Sequence, residues 1–135
     1  NFLTAFYAIV YPDGRLVYCS AAHTQVIMLK KNGDCALLDP TSLSVGFAPL
    51  GGADFHNAET TFLPGDRLLL YTDGVTETRD GNGVAFGIER LEAVARAHKQ
   101  EPLKSMHASI EAAWLSAVPR SAIEDDVTLL SVLRV

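Results

Sequence analysis

Two segments of this chain place acidic side chains beside runs of strand-forming residues. In the first, an apolar run at residues 68–71 is followed by Thr72, Asp73 and Gly74, so one carboxylate enters a glycine turn. In the second, about fifty residues later, Asp125 and Asp126 lead into further strand formers. Hard divalent cations prefer oxygen ligands such as carboxylates. The two segments together therefore indicate part of a divalent-metal site.

Each segment alone has a plain structural explanation. Asp-Gly is a common turn dipeptide, so Asp73 could mark only a hairpin or loop turn. Asp125 and Asp126 could be a solvated acidic lead-in to a strand. If both segments reach the same end of adjacent strands, carboxylates about 5 Å apart repel by about 3 kcal/mol at an effective dielectric constant of about 20. Such proximity persists where a cation binds or one acid stays protonated, and Mg²⁺ or Mn²⁺ would suit these ligands.

Size and composition limit the class of protein. The 135 residues suffice for one domain, and 48% hydrophobic with 20% charged residues is typical of a globular protein. A net charge of −5 without a basic patch argues against nucleic-acid binding. No apolar stretch approaches the about 20 residues of a membrane helix, so we expect no membrane contact in this segment. Cys19 and Cys35 could pair, but their isolated spacing favours free, partly buried thiols of a cytoplasmic protein.

Apolar runs between turn residues predict mostly antiparallel strands. The predicted strands are residues 2–10, 15–20, 26–30, 35–38, 59–62, 67–72 and 127–135. The first is continuously apolar, which predicts burial on both faces. Three hairpins are predicted: 2–10 with 15–20, 26–30 with 35–38, and 59–62 with 67–72 around the turn at 63–66. An ordered loop is expected over residues 39–57.

Helical spacing begins after the glycine-rich connection at residues 79–87. Apolar residues from Ile88 onward recur at three- and four-residue intervals, and Pro102 and Pro119 suit the start and end of a second helix. The apolar stripe of that helix is Leu103, Met106, Ile110, Ala113 or Trp114, and Ala117. Strands, two adjacent helices and a last strand give an α+β fold. Only one helical layer is predicted, so either the second sheet face packs against a partner or part of the domain is missing.

The motifs also resemble those of a known family. In chain order they are residues 2–7 (FLTAFY), 21–24 (AAHT), 49–51 (PLG), 63–77 (LPGDRLLLYTDGVTE), 86–91 (FGIERL) and 125–130 (DDVTLL). The sequence resembles bacterial metal-dependent Ser/Thr protein phosphatases of the 2C type, in the branch that includes sporulation stage II and sigma-factor-regulating phosphatases. The long central motif is specific, and the last is moderately so.

The resemblance implies a fold and a reaction. It implies an α-β-β-α sandwich with two Mn²⁺ or Mg²⁺ ions at one edge of its sheets, where a metal-bridging water or hydroxide attacks phosphoserine or phosphothreonine in line. Carried onto this sequence, Asp73 and Asp125 are the catalytic metal ligands. Asp126, Gly74 and Thr128 are expected to support these ligands without binding metal.

One departure from the family's pattern is large. The first acidic motif of the family, a Gly-Asp-x-x-Gly-His-Gly type segment with a bridging aspartate, has no counterpart here. Residues 1–135 are therefore expected to be the C-terminal part of a domain, lacking its N-terminal strands, first metal-binding motif and the helices that cover one sheet face. Such a fragment would bind Mn²⁺ weakly and hydrolyse little or nothing. Its uncovered apolar face would favour a homodimer, in which strands could exchange.

The implied partner is a phosphorylated regulatory protein of the anti-sigma-factor antagonist type. The alternative is a non-catalytic pseudophosphatase or scaffold that binds a phosphoprotein. A third interpretation is an acidic α+β domain whose Asp-Gly turns are only turns. Several other residues are expected to be structural or at the surface, without a catalytic role: His56, His98, His107, Trp114 and Ser121. His23 is expected to be structural, with a role on the substrate side as the alternative.

Overall fold

The structure, a computed structural model, describes residues 2–47, 54–123 and 125–135. Within these residues it contains seven strands and three α-helices. The strands are β1 (Ala5–Val10), β2 (Arg15–Ala21), β3 (Val26–Leu29), β4 (Cys35–Leu38), β5 (Ala58–Thr61), β6 (Arg67–Tyr71) and β7 (Leu129–Leu133). The helices are α1 (Asp73–Glu77), α2 (Gly87–Ala97) and α3 (Leu103–Ala117), and a 3₁₀ turn follows at Arg120–Ala122.

The strands form two antiparallel sheets. One has the order β1-β2-β5, and the other has the order β4-β3-β6-β7. The two adjacent helices α2 and α3 follow the first six strands, and β7 returns to the edge of the second sheet beside β6. The α+β fold predicted from the sequence, with mostly antiparallel strands and two adjacent helices, is confirmed.

The predicted hairpin of residues 59–62 with 67–72 is wrong, because β5 pairs with β2 while β6 pairs with β3 and β7. The turn at residues 63–66 instead carries the chain from one sheet to the other. Asp66 fixes this turn, since its carboxylate accepts hydrogen bonds from the N–H groups of Leu63 (2.8 Å) and Lys31 (3.0 Å) and pairs with the Lys30 ammonium (3.0 Å). Burial opposes ionisation, but these bonds outweigh it and lower the pKa of Asp66.

Two cores separate three layers. Between the sheets lie buried side chains from both: Leu16, Tyr18, Val26, Met28, Leu38, Phe62 and Leu68. Between the second sheet and the helices lies a larger core that includes Ile27, Leu69, Tyr71, Val75, Leu91, Met106, Ile110 and Trp114. Residues alternate between the two cores along β3 and β6, because successive side chains of a strand point to opposite faces.

The outer face of the β1-β2-β5 sheet is uncovered in the described chain. Tyr7 is 67% exposed and Ile9 is 41% exposed, so the prediction that residues 2–10 form a strand buried on both faces is wrong. The physical reason is that α2 and α3 pack their apolar residues against the other sheet. The strand also begins at Ala5 rather than at residue 2.

The second helix lies where the sequence predicted it. Pro102 is the N-cap of α3, and Met106, Ile110 and Trp114 form its buried stripe. Cys19 and Cys35 are free and partly buried, as predicted. Among the described segments, no helix is both long and apolar enough to cross a membrane. Part of the predicted loop at 39–57 lies outside the described residues.

Candidate functional site

Asp73 stands where β6 ends and a short helix begins. The sequence predicted a glycine turn here, but Asp73 is the first residue of α1. Thr72 is still extended, with φ −86° and ψ 158°, and its carbonyl accepts a hydrogen bond from the Val75 N–H at 3.0 Å. The Gly74 N–H donates to Oδ1 of Asp73 at 2.9 Å. Asp73 itself is exposed at the surface.

The core holds the base of α1 firmly. Val75 is 2% exposed and packs into the core beneath the helices. The indole Nε1–H of Trp114, on α3, donates to the Val75 carbonyl at 2.8 Å. The Thr78 hydroxyl donates to the Gly74 carbonyl at 2.5 Å. The carboxylate of Asp73 is exposed, but the backbone of α1 that positions it is held by a buried side chain and hydrogen bonds.

Thr72 joins the two acidic segments. Its N–H donates to the Thr128 carbonyl at 3.1 Å, and its hydroxyl donates to the Asp126 carbonyl at 2.9 Å. The same hydroxyl accepts the Thr128 N–H at 2.9 Å. Because Asp125 directly precedes Asp126, these bonds locate the second acidic side chain relative to the first.

Gly74 allows the segments to approach this closely. A Cβ atom at this position would lie 2.6 Å from the Asp126 carbonyl oxygen and 3.3 Å from the nearer methyl of Val127. Real Cβ contacts do not reach the shorter of these distances, so a side chain at Gly74 would push the second segment away. The structure thus places three predicted supporting residues, Gly74, Asp126 and Thr128, at the junction of the segments.

The two predicted metal ligands line one cleft. It has a volume of about 490 Å³ and is lined by Asp73, Gly74, Glu77, Thr78, Arg79, Ala122 and Asp125. Oδ1 of Asp125 accepts the Asp126 N–H at 2.8 Å, and Asp125 is exposed like Asp73. Open carboxylates in a wet cleft suit Mg²⁺ and Mn²⁺, which are held by few carboxylates and keep several waters.

Within residues 2–47, 54–123 and 125–135, no group of three or more His, Cys, Asp or Glu side chains is arranged to hold a metal ion. Asp73 and Asp125 are carboxylates of the kind that hard divalent cations prefer, and a cation held by two of them would keep several water ligands.

Sequence reasoning missed several residues at the site, among them Thr72, Glu77 and Arg79. Glu77 and Arg79 line the cleft, and Thr72 joins the two segments that form its walls, residues 73–79 and 125–128. Asp73 and Glu77 are four residues apart, a spacing that places side chains on one face of a helix. A predicted helix at α1 would have revealed Glu77, whereas no local pattern points to Thr72.

A loop from the first sheet also contacts this edge. The Thr24 hydroxyl donates to the Tyr71 carbonyl at 2.5 Å, and Nδ1 of His23 lies 3.2 Å from that hydroxyl. Ala22, which precedes them, has φ +50°, a conformation that favours glycine. Burial raises the pKa of Tyr71 to about 12.

The other side chains considered from the sequence do not line this cleft. Trp114 belongs to the core, with 6% exposure. Nδ1 of His107 lies 2.7 Å from the Ser131 hydroxyl, His98 pairs with Glu101 at 2.7 Å, and His56 pairs with Asp54 at 3.2 Å. Ser121 lies in the 3₁₀ turn.

Several solved structures share this fold. The SiaA-PP2C domain of Pseudomonas aeruginosa aligns with a TM-score of 0.79 at 23% identity, covering 98% of this chain and 51% of that one. The RsbU and RsbW domains of a Mycobacterium tuberculosis protein align at 0.68 and 26% identity, covering 90% and 33%. The phosphatase domain of SpoIIE from Bacillus subtilis aligns at 0.71 and 16% identity, covering 97% and 56%.

Sequence comparison agrees. Protein IcfG from Synechocystis is 29% identical over 134 residues, which are 98% of this chain and 21% of that protein. The chain thus spans about one fifth of the curated relative it matches. The family model described as stage II sporulation protein E matches residues 1–135, and the chain therefore belongs to the SpoIIE family of PP2C-type phosphatase domains.

Proposed function

We propose that this chain forms the C-terminal part of a metal-dependent Ser/Thr protein phosphatase domain, in which Asp73 and Asp125 hold Mn²⁺ or Mg²⁺. The observation that carries this proposal is their common cleft, whose walls are joined by the three hydrogen bonds of Thr72. A carboxylate from each wall gives a cation two anionic ligands. Asp126, Gly74 and Thr128 support them through backbone atoms and close packing.

The residues of the chain have distinct tasks in this proposal. Bound ions would activate a water molecule and neutralise charge on the phosphoryl group. Asp73 and Asp125 would determine the positions of those ions. Asp73 belongs to α1, which Trp114 anchors to the core, and the segment of Asp125 is hydrogen-bonded to Thr72. The open cleft leaves room for a phosphorylated side chain to approach from solvent.

The remaining ligand would come from chain that precedes these residues in a complete domain. The chain covers 51% of the SiaA-PP2C chain and 56% of the SpoIIE phosphatase chain, which supports this proposal. The same preceding segment would cover the apolar outer face of the β1-β2-β5 sheet. Alone, the chain would bind Mn²⁺ weakly, hydrolyse little, and associate as a homodimer through that face.

The proposed substrate is a phosphoserine or phosphothreonine on a bacterial regulatory protein of the anti-sigma-factor antagonist type, in the cytoplasm. The similarity to RsbU and SpoIIE domains supports this class. A non-catalytic phosphoprotein-binding module is the second candidate. It is favoured only for the chain in isolation, where the described residues offer no group of three metal ligands.

The central test compares Mn²⁺-dependent hydrolysis of a phosphoprotein by the complete domain with and without Asp73→Asn. We expect a loss of about a hundredfold or more, because a metal supplies several kcal/mol of charge stabilisation. Asp13→Asn, an exposed acid in the β1–β2 turn, serves as the control and should retain full activity. Full activity in the Asp73→Asn variant would refute the ligand assignment.

A calorimetric titration tests the partial-domain proposal separately. The 135-residue chain alone should bind Mn²⁺ weakly. Tight binding of two Mn²⁺ ions per chain would show that no further ligand is needed. A monomer by light scattering at high concentration would contradict the proposed association through the uncovered sheet.

A further inference from the structure

The lining of the cleft combines an arginine with three acidic side chains. Arg79 shares the cleft with Asp73, Glu77 and Asp125, and the described lining residues include no other lysine or arginine. Despite these neighbours, none of the ion pairs found in the described parts of the chain includes Arg79. Among the described residues, the guanidinium therefore forms no ion pair with a carboxylate.

The loop after α1 holds Arg79 in place. Its Nη1 donates to the Gly83 carbonyl at 2.7 Å, and its backbone bridges to Ala85. Oδ1 of Asp80 closes the same loop by accepting the N–H groups of Asn82 (2.9 Å) and Val84 (3.0 Å). The bond to Gly83 uses one of the several N–H donors of the guanidinium, so the others can serve a ligand in the cleft.

We propose that Arg79 binds the non-bridging oxygens of the substrate's phosphoryl group, an inference that rests on the proposed function. A doubly charged phosphate that enters the cleft meets the carboxylates of Asp73, Glu77 and Asp125. Cations must offset that repulsion, and among the described lining residues Arg79 provides a positive charge. The planar fork of an arginine matches two phosphate oxygens, which a lysine ammonium cannot do.

Phosphate inhibition gives the most direct test. In the complete Mn²⁺-loaded domain, Arg79→Ala should weaken inhibition by inorganic phosphate about tenfold or more and raise KM for a phosphopeptide similarly, since a hydrogen bond to a charged group is lost. Arg79→Lys should recover only part of the loss. Mn²⁺ affinity should not fall, because the guanidinium is not a metal ligand and its loss removes a positive charge from the cleft.

Two controls separate phosphate binding from a structural role. Arg90→Ala removes an exposed arginine that lies near Asp80 but does not line the cleft, and it should leave phosphate inhibition unchanged. Asp80→Ala removes the acceptor that closes the loop but keeps the guanidinium. It should weaken phosphate inhibition less than Arg79→Ala does.

The possible outcomes distinguish this inference from the proposed function. Mn²⁺-dependent hydrolysis with unchanged phosphate inhibition in Arg79→Ala would overturn the role of Arg79 alone. An equal loss in Asp80→Ala and Arg79→Ala would assign the effect to loop order and would also overturn it. Absence of Mn²⁺-dependent hydrolysis in the unmodified domain would overturn the proposed function, and this inference with it.

Discussion

The two acidic segments of the site differ in how they are held. Residues 73–78 form α1 and the turn after it, and the carbonyls of Gly74 and Val75 accept hydrogen bonds from buried side chains of Thr78 and Trp114. Residues 125–128 are all exposed. In the described residues, this second segment contacts the first through the three hydrogen bonds of Thr72 and through close packing against Gly74.

This difference implies a hierarchy, in which the position of the second segment depends on that of the first. The core positions α1, and α1 together with Thr72 positions the second segment. Asp125 is therefore positioned through Thr72, Gly74 and the adjoining strand β7, since residues 125–128 are themselves exposed. Changes at the junction should move Asp125 alone, whereas changes beneath α1 should move both acids.

The largest effect is expected from Gly74→Ala. Alanine is favoured over glycine in helices by about 1 kcal/mol, but the new methyl would lie 2.6 Å from the Asp126 carbonyl oxygen. We expect urea denaturation to show a loss of about 3 kcal/mol, the upper range for overpacking. Mn²⁺ affinity of the complete domain should also fall about tenfold, because the segment that carries Asp125 is displaced.

Gly81→Ala is the matched control for this change. A Cβ atom at Gly81 would meet no atom within 4 Å, so this substitution should alter stability little. If both alanine variants behave alike, the close approach of the second segment to α1 does not constrain the site.

The sequence pointed to Asp73 and Asp125 as a pair, but not to the hydrogen bonds that position them. An acid at the end of each of two neighbouring strands follows from local patterns, and β6 does pair with β7, with Tyr71 opposite Leu129. The supporting role of Thr72 depends on a partner 56 residues away. Nothing in the spacing of a single sequence records such a contact, so it could not be predicted.

The error in strand pairing has a related cause. Turn residues at 63–66 locally favour a hairpin, yet Asp66 bonds to the backbone of Lys31 and to the ammonium of Lys30, both in the β3–β4 hairpin. These distant partners direct the chain into the second sheet. Likewise, the apolar residues of β1 predicted burial on both faces, but periodicity does not say which chain covers a face.

The intermediate effect is expected from Trp114→Phe. The aromatic ring remains, but the Val75 carbonyl loses its donor and stays buried, which costs about 2 kcal/mol. Because α1 supports the second segment, hydrogen exchange should accelerate at both the Val75 and the Thr128 amides. Exchange that accelerates at Val75 alone would contradict the hierarchy.

Ser116→Ala provides the control on the same helix. The Ser116 hydroxyl donates to the Ala113 carbonyl on the exposed side of α3. Its removal should change stability by less than about 0.5 kcal/mol and leave both amides protected.

The smallest effect on stability, and the sharpest test of the hierarchy, is expected from Thr72→Val. Valine keeps the shape of threonine but removes the hydroxyl that bonds to Asp126 and Thr128, at a cost of about 1 kcal/mol. Protection of the Thr128 amide should be lost, while that of the Val75 amide, which donates to the Thr72 carbonyl, should remain. Mn²⁺ affinity should fall although the fold persists. Thr72→Ser restores the hydroxyl and should restore both the amide protection and the metal affinity, whereas equal behaviour of the Val and Ser variants would show that packing, not these bonds, positions Asp125.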